Sequence, residues 1–158
     1  MLKLVCVGKL REKYYADAVA EYEKRLSRLT PVTIVELPDE REPQSPSDAL
    51  CEQVMRREGE KILRAIGAQE HVIALCIAAK QTTSTGLADK LSALFVCGKS
   101  DVTFVIGGSL GLHEIVLARA NERLSMSEMT FPHQLARVML MEQLYRAAKI
   151  NAGERYHK

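Results

Sequence analysis

Apolar residues in this chain fall into short unbroken runs, separated by longer stretches in which they recur at helical spacing. The runs Leu2-Lys3-Leu4-Val5-Cys6-Val7, Val32-Thr33-Ile34-Val35-Glu36-Leu37, His71-Val72-Ile73-Ala74-Leu75-Cys76-Ile77 and Val102-Thr103-Phe104-Val105-Ile106 are rich in β-branched residues, which predicts strands. The last two are apolar almost throughout, as parallel strands covered on both faces are. After the first strand, Tyr15, Ala18, Val19, Tyr22, Leu26 and Leu29 mark one face of a helix that Pro31 stops. A cap at Ser45, with Pro46 and Asp48 behind it, predicts a helix from there to Ile66, closed by Gly67. Thr83 or Ser84 caps a third helix with Leu87, Leu91, Leu94 and Phe95 facing inward, and a fourth covers roughly His113 to Arg123. Leu124 through Thr130 reads as a short strand fraying into a loop, and Pro132 opens a final helix that runs to about Ile150. This alternation predicts one α/β domain over residues 1–158, a mostly parallel sheet flanked by helices with right-handed crossovers.

Three stretches depart from plain alternation. The Val102 strand stops in Gly107, Gly108 and Gly111, a bare backbone loop at a strand's carboxyl end, where α/β sheets hold ligands and where glycine lets a flat molecule approach. An ordinary tight turn would use the same residues. The final helix carries two apolar stripes, Val138, Met141, Tyr145 and Ala148 beside Leu140, Leu144 and Ala147, so more than one face is expected to be covered, by this chain or by a second copy. Between the second strand and second helix, Pro38 through Pro46 is polar and carries three prolines; it suits a lid, a contact to a large substrate, or a connector.

Composition narrows the chemistry. With 47% hydrophobic residues in 158, the chain holds enough apolar material for one proper core. Its net charge of +2 and pI near 8.3 allow contact with nucleic acid without the strongly basic signature of a dedicated binder. No apolar run reaches membrane-spanning length and the amino-terminal strand lacks a signal-peptide pattern, so a cytoplasmic location is expected. Cys6, Cys51, Cys76 and Cys97 form no C-x-x-C pair and are read as reduced core residues, with no metal site. The glycine loop lacks G-x-G-x-x-G spacing, and Gly98-Lys99-Ser100 has Ala93 where a P-loop needs its first glycine, so a nucleotide phosphate site is unsupported.

The polar candidates lie at strand ends and at the carboxyl terminus. Lys9, Arg11 and Lys13 follow the first strand, as a solvated helix start or an RNA contact. His133 and Arg137, four residues apart, share one helix face beside the Met126 to Phe131 segment; there they suit anion recognition and proton exchange, or a surface ion pair. The tail Gly153-Glu154-Arg155-Tyr156-His157-Lys158 is expected to be frayed, although ordered against a partner it would offer stacking and a proton relay.

Val105-Ile106-Gly107-Gly108-Ser109-Leu110-Gly111-Leu112, Thr130-Phe131-Pro132-His133-Gln134, Glu142-Gln143-Leu144-Tyr145-Arg146-Ala147 and Tyr156-His157-Lys158 together resemble the RlmH (YbeA-like) family, the smallest branch of the SPOUT methyltransferases. Val7-Gly8-Lys9-Leu10 and Glu58-Gly59-Glu60 fit as well, so the resemblance spans the chain. It implies an α/β fold with a carboxyl-terminal trefoil knot, a homodimer, and transfer of methyl from S-adenosyl-L-methionine to N3 of a pseudouridine in 23S ribosomal RNA within the ribosome. Carried onto this sequence, the cofactor site is Leu75, Gly107, Met126, Ser127, Glu128, Met129, Thr130 and Phe131. Cys76 and Ala79 depart from the acidic residue and glycine usual in the family, which puts cofactor affinity and loop shape in question.

The chemistry of the implied reaction assigns roles. An imide N3 must lose its proton before it attacks a sulfonium methyl, so Arg137 is placed to favour the anion, His133 and His157 are candidate proton acceptors, and Tyr156 is placed to stack on or orient the base. The alternative is a noncatalytic ribosome-binding or assembly protein on the same fold, with Cys76 and Ala79 as its support.

Overall fold

Alternation within each strand sorts the core into two layers. In β1 (Leu2–Val7), Leu2, Leu4 and Cys6 face one side while Val5 and Val7 face the other, and all five are buried. The computed structural model describes residues 1–41 and 43–158. Its remaining elements are α1 (Lys13–Leu26), β2 (Val32–Leu37), α2 (Asp48–Ala65), β3 (His71–Leu75), α3 (Ser84–Val96), β4 (Val102–Ile106), α4 (Glu114–Arg119), β5 (Glu122–Leu124) and α5 (His133–Asn151).

The five strands form one parallel sheet, in keeping with the mostly parallel sheet the alternation predicts, and their order is β2-β1-β4-β3-β5. Leu4 pairs with Ile34 on one side and Phe104 on the other, which places β1 and β4 centrally. Beneath one face α1, α3 and α5 close over Phe104 and Ile73, α5 contributing Leu140, Met141 and Leu144. Across the other, α2 and α4 cover Val5, Val72, Val105 and Val116. Parallel strands send all their carboxyl ends to one edge, so the loops after β1, β3, β4 and β5 meet there.

Several boundaries differ from the sequence reading for local reasons. Helix α2 starts after Ser47 rather than Ser45, because the Ser47 hydroxyl accepts the Leu50 N–H at 3.3 Å with Asp48 directly behind it. Helix α4 ends at Arg119 rather than Arg123: Asn121 is committed to β3, its Oδ1 accepting Val72 N–H at 2.8 Å and its own N–H donating to the Val72 carbonyl at 2.9 Å. The next three residues become β5, so of the expected Leu124 to Thr130 strand only Leu124 belongs to it. Helix α1 stops at Leu26, before Leu29, and β3 stops at Leu75, before Cys76 and Ile77. Phe95 is exposed rather than inward, and of the four free cysteines only Cys6 is buried, Cys97 being exposed. Glu42, inside the proline-rich stretch expected to be a lid or connector, lies outside the described residues.

Candidate functional site

A cavity of about 640 Å³ opens at the carboxyl edge of the sheet, within the range that encloses a cofactor-sized ligand. Leu75, Cys76 and Ile77 form the wall that follows β3. The glycine loop after β4 forms a second wall, with Gly107, Gly108 and Leu112. Gly107 is held there by close approach, since a Cβ on it would lie 2.6 Å from the Gly111 carbonyl oxygen. The segment after β5 supplies Met126, Ser127, Met129, Thr130 and Phe131, folded on itself by the Ser125 hydroxyl donating to the Ser127 carbonyl at 2.9 Å and the Met129 N–H donating to Ser127 Oγ at 3.0 Å. Pro132, His133 and Ala136 of the α5 start close the remaining side.

All the residues proposed from sequence for the cofactor line this cavity except Glu128, which is exposed and outside its wall. Among the described residues no Lys, Arg, Asp or Glu lines it. His133 is the one titratable nitrogen base in the wall, and burial, then the charge of Arg137, hold its pKa below the usual 6.5. At neutral pH the imidazole is uncharged, so a positively charged ligand meets no cation in the wall. The Cys76 thiol, in the place usual for an acid, is half-buried, and burial raises its pKa. Ala79 lies in a turn with its N–H donating to the Ile77 carbonyl at 3.0 Å, and among the described residues only glycines have positive φ, so this turn does not require the glycine that Ala79 replaces.

Arg137 is not the open anion fork expected from its spacing. It is fully buried, with Nη1 donating to Glu36 Oε1 at 2.5 Å and Nη2 to the Gly8 carbonyl at 2.8 Å. Its place inside α5 turns the guanidinium under the sheet edge, where the ends of β1 and β2 supply a carboxylate and a carbonyl before any external anion can reach it. Gly8, at φ +85°, presents that carbonyl, and a Cβ on it would lie 3.3 Å from His133 Nε2. Below, burial pushes the Cys6 thiol up to about 12. Arg137 thus ties β1, β2 and the first turns of α5 together behind His133.

The tail does not fray. Tyr156 packs edge-on to Tyr145 with centroids 4.9 Å apart, Arg146 lies 4.6 Å over its ring, and His157 Nδ1 is 3.4 Å from Arg146 Nη1. Arg146 is thirteen residues along α5 from His133, about 20 Å of helix, so Tyr156 and His157 are far from His133 of the same chain. A second cavity of about 430 Å³ lies open between α1, α3 and α5, lined by Tyr22, Leu87, Val138, Leu140 and Glu142 among others.

One feature of the site escaped the sequence reading. Glu58 sits on the buried face of α2, one turn from Val54 and one from Ile62, and is only 5% exposed. An acid at that spacing on an apolar stripe is the signal that could have found it. Its Oε1 accepts the Glu40 N–H at 2.9 Å, and a Cβ on Gly108 would lie 2.9 Å from its Oε2. It lines a further cavity of about 270 Å³ with Arg11, Asp39, Gly108, Ser109 and His133, so this cavity shares a wall with the larger one. Among the described residues no group of His, Cys, Asp and Glu is placed to hold a metal ion, and no helix is long and apolar enough to cross a membrane.

Residues 1–157 match a family model described as "Predicted SPOUT methyltransferase". Curated proteins named "Ribosomal RNA large subunit methyltransferase H", from two strains of Lactobacillus delbrueckii subsp. bulgaricus, are 52% identical over 157 residues, covering 99% of this chain and 99% of each relative. Among solved structures, a probable methylase family protein from Haemophilus influenzae Rd KW20 matches 99% of this chain and 70% of its own with a TM-score of 0.55 at 13% identity, a likeness of fold.

Proposed function

The chain belongs to the SPOUT methyltransferase family, and from that premise we propose that it transfers methyl from S-adenosyl-L-methionine to N3 of a pseudouridine in 23S ribosomal RNA. It is a methyltransferase of ribosomal RNA by family and by whole-chain identity to its curated relatives. The observation that carries the finer reading is the 640 Å³ cavity at the carboxyl edge, because its apolar walls, bare glycine loop and lack of cationic side chains among the described residues fit a molecule with a flat base and a positive sulfonium.

S-adenosyl-L-methionine, when bound, supplies an activated methyl group on that sulfonium. The protein's own residues align the acceptor and manage its proton. Leu75, Gly107 and Met126 through Phe131 would hold the cofactor, Glu128 from the outer side of the segment. His133, neutral and at the rim, is placed to accept the N3 proton as the N–CH3 bond forms. Arg137 acts through position: its grip on Glu36 and Gly8 fixes the α5 turn that carries His133, and its charge adds to burial in holding that imidazole's pKa down.

Tyr156 and His157 act in this proposal from a second copy of the chain. The 20 Å of α5 between His133 and Arg146, against which they pack, and the open face between α1, α3 and α5 support a homodimer in which each tail serves its partner's cavity. The carboxyl-terminal trefoil knot and a cytoplasmic location follow from the same family reading.

The test is transfer of isotope-labelled methyl to ribosomes lacking the modification, read by nucleoside mass spectrometry. Labelled N3-methylpseudouridine is the expected product. A protein that binds ribosomes and S-adenosyl-L-methionine but transfers no label would instead be a ribosome-binding protein on a methyltransferase fold, the outcome that Cys76 in the cofactor wall would then explain.

A further inference from the structure

The 270 Å³ cavity beside the cofactor site has a different chemistry from its neighbour. Where the larger cavity is apolar, this one gathers Arg11, Asp39, Arg41 and Glu58 around the shared wall of Gly108, Ser109 and His133. Its volume falls below the roughly 300–1,000 Å³ of clefts that enclose a drug-sized ligand, so it suits a single base. Arg11 and Arg41 are exposed at its rim; Arg11 Nη2 is 3.2 Å from Asp39 in an exposed pair that a phosphate can displace. The Glu58 carboxylate is the buried polar group. A carboxylate beside a polyanion's path is unfavourable unless it accepts donors from what binds, and one Glu40 N–H uses only part of its capacity of about four lone pairs.

We propose that this cavity seats the acceptor base and that the Glu58 carboxylate accepts a ring N–H of that base, reading a C-linked pyrimidine against an N-linked one. The inference rests on the methyltransferase reading above. A pseudouridine has two ring N–H groups, at N1 and N3, whereas uridine has only N3–H. With N3 turned past His133 toward the cofactor cavity, N1–H is the group left to face Glu58. Burial raises the Glu58 pKa, so the ionised carboxylate gains most from a donor that stabilises its charge in place.

The test is a cycle that changes both sides of the contact. Large subunits are reconstituted with 23S RNA carrying pseudouridine or N1-methylpseudouridine at the target, and kcat/KM is measured for wild type and Glu58→Gln, with melting temperature and S-adenosyl-L-methionine affinity alongside. Wild type should lose about 10- to 100-fold on N1 methylation, the range of a hydrogen bond to a charged group. Glu58→Gln should lose a similar factor on pseudouridine and then treat the two substrates alike, because its one oxygen stays on the Glu40 amide and its NH2 faces the base. Cofactor affinity should stay within about twofold.

Independent losses that multiply would overturn the proposal, since a merely structural Glu58 cannot couple to N1. If Glu58→Gln melts early, Gly108→Ala decides, because its Cβ would lie 2.9 Å from Glu58 Oε2 and displace the carboxylate. Retained discrimination in that variant also overturns the contact. Wild type that transfers no methyl to pseudouridine removes the reading beneath the proposal, and the proposal with it, an outcome distinct from an active enzyme without coupling.

Discussion

Replacing Arg137 by methionine separates a buried clamp from an open anion fork. The substitution removes the Nη2 donor from the Gly8 carbonyl, and an orphaned buried acceptor costs about 1–3 kcal/mol. It also takes the guanidinium from Glu36, which keeps the Leu10 N–H at 3.4 Å, and breaking a buried pair costs about 3–5 kcal/mol. Glu36 is 35% exposed, however, so water takes over much of its solvation, and that contribution falls to about 1 kcal/mol. Losing the Arg137 Nε, buried without a partner among the described residues, offsets a little more. The net expectation is a destabilisation of about 2–3 kcal/mol, or a melting temperature lower by about 4–12 °C for a chain of this size.

Urea denaturation followed by circular dichroism gives the first number at an unchanged slope, and calorimetric titration of S-adenosyl-L-methionine shows whether the His133 turn has moved. Arg137→Lys should recover little, because an ammonium cannot reach the Glu36 carboxylate and the Gly8 carbonyl in the same two directions. A methionine variant within about 0.5 kcal/mol of wild type that nonetheless loses transfer would refute the clamp and restore the anion-binding role.

Gly107→Ala places a Cβ 2.6 Å from the Gly111 oxygen, so the loop must shift; cofactor affinity should fall at least about tenfold by titration, and unchanged affinity would mean the loop is not a wall of the site. A tail deleted after Gly153, mixed with His133→Ala, should regain up to about a quarter of wild-type transfer if subunits exchange at random, while no recovery argues against tails working in the partner's cavity. For His133 the folded pKa lies below the unfolded 6.5, so the unfolded chain binds more protons in that window; stability should rise with pH up to about 6.5 and its slope there should shrink in His133→Gln, as urea midpoints between pH 5 and 7 would show.

The sheet was legible because its signals are local. Continuous runs such as Val102 to Ile106 read as strands covered on both faces, as parallel strands between helix layers are, and the glycine loop behind that run marked the carboxyl edge. The misread points depend on partners far along the chain. Asn121 ends α4 through a strand residue 49 positions away, and Arg137 is claimed by Glu36, 101 positions away, a separation no helical spacing reports. The tail was misread for the same reason, since Tyr156 packs on Tyr145 and Arg146, on a helix whose second apolar stripe is expected to be covered by this chain or by a second copy without a sign of which segment covers it. Glu58 was readable in principle, because Val54 and Ile62 put it on an apolar stripe, yet only the fold shows that the stripe ends beside Gly108.

These placements divide the proposed reaction's demands among different parts of the edge. A cavity without charged side chains among its described walls can accept a sulfonium, but it has little with which to tell one base from another. In the proposed reaction discrimination then comes from next door, where Glu58 and Arg11 lie across His133, and affinity for a large RNA comes from both subunits of the proposed dimer, since one chain carries only +2. On this argument Arg137 belongs to neither recognition system. Pulled into the sheet edge by Glu36 and Gly8, it adds its charge to burial in holding the His133 pKa down and fixes the turn that carries His133 where the two cavities meet, a position from which, in the proposed reaction, the imidazole takes a proton from a base on one side while facing the cofactor on the other.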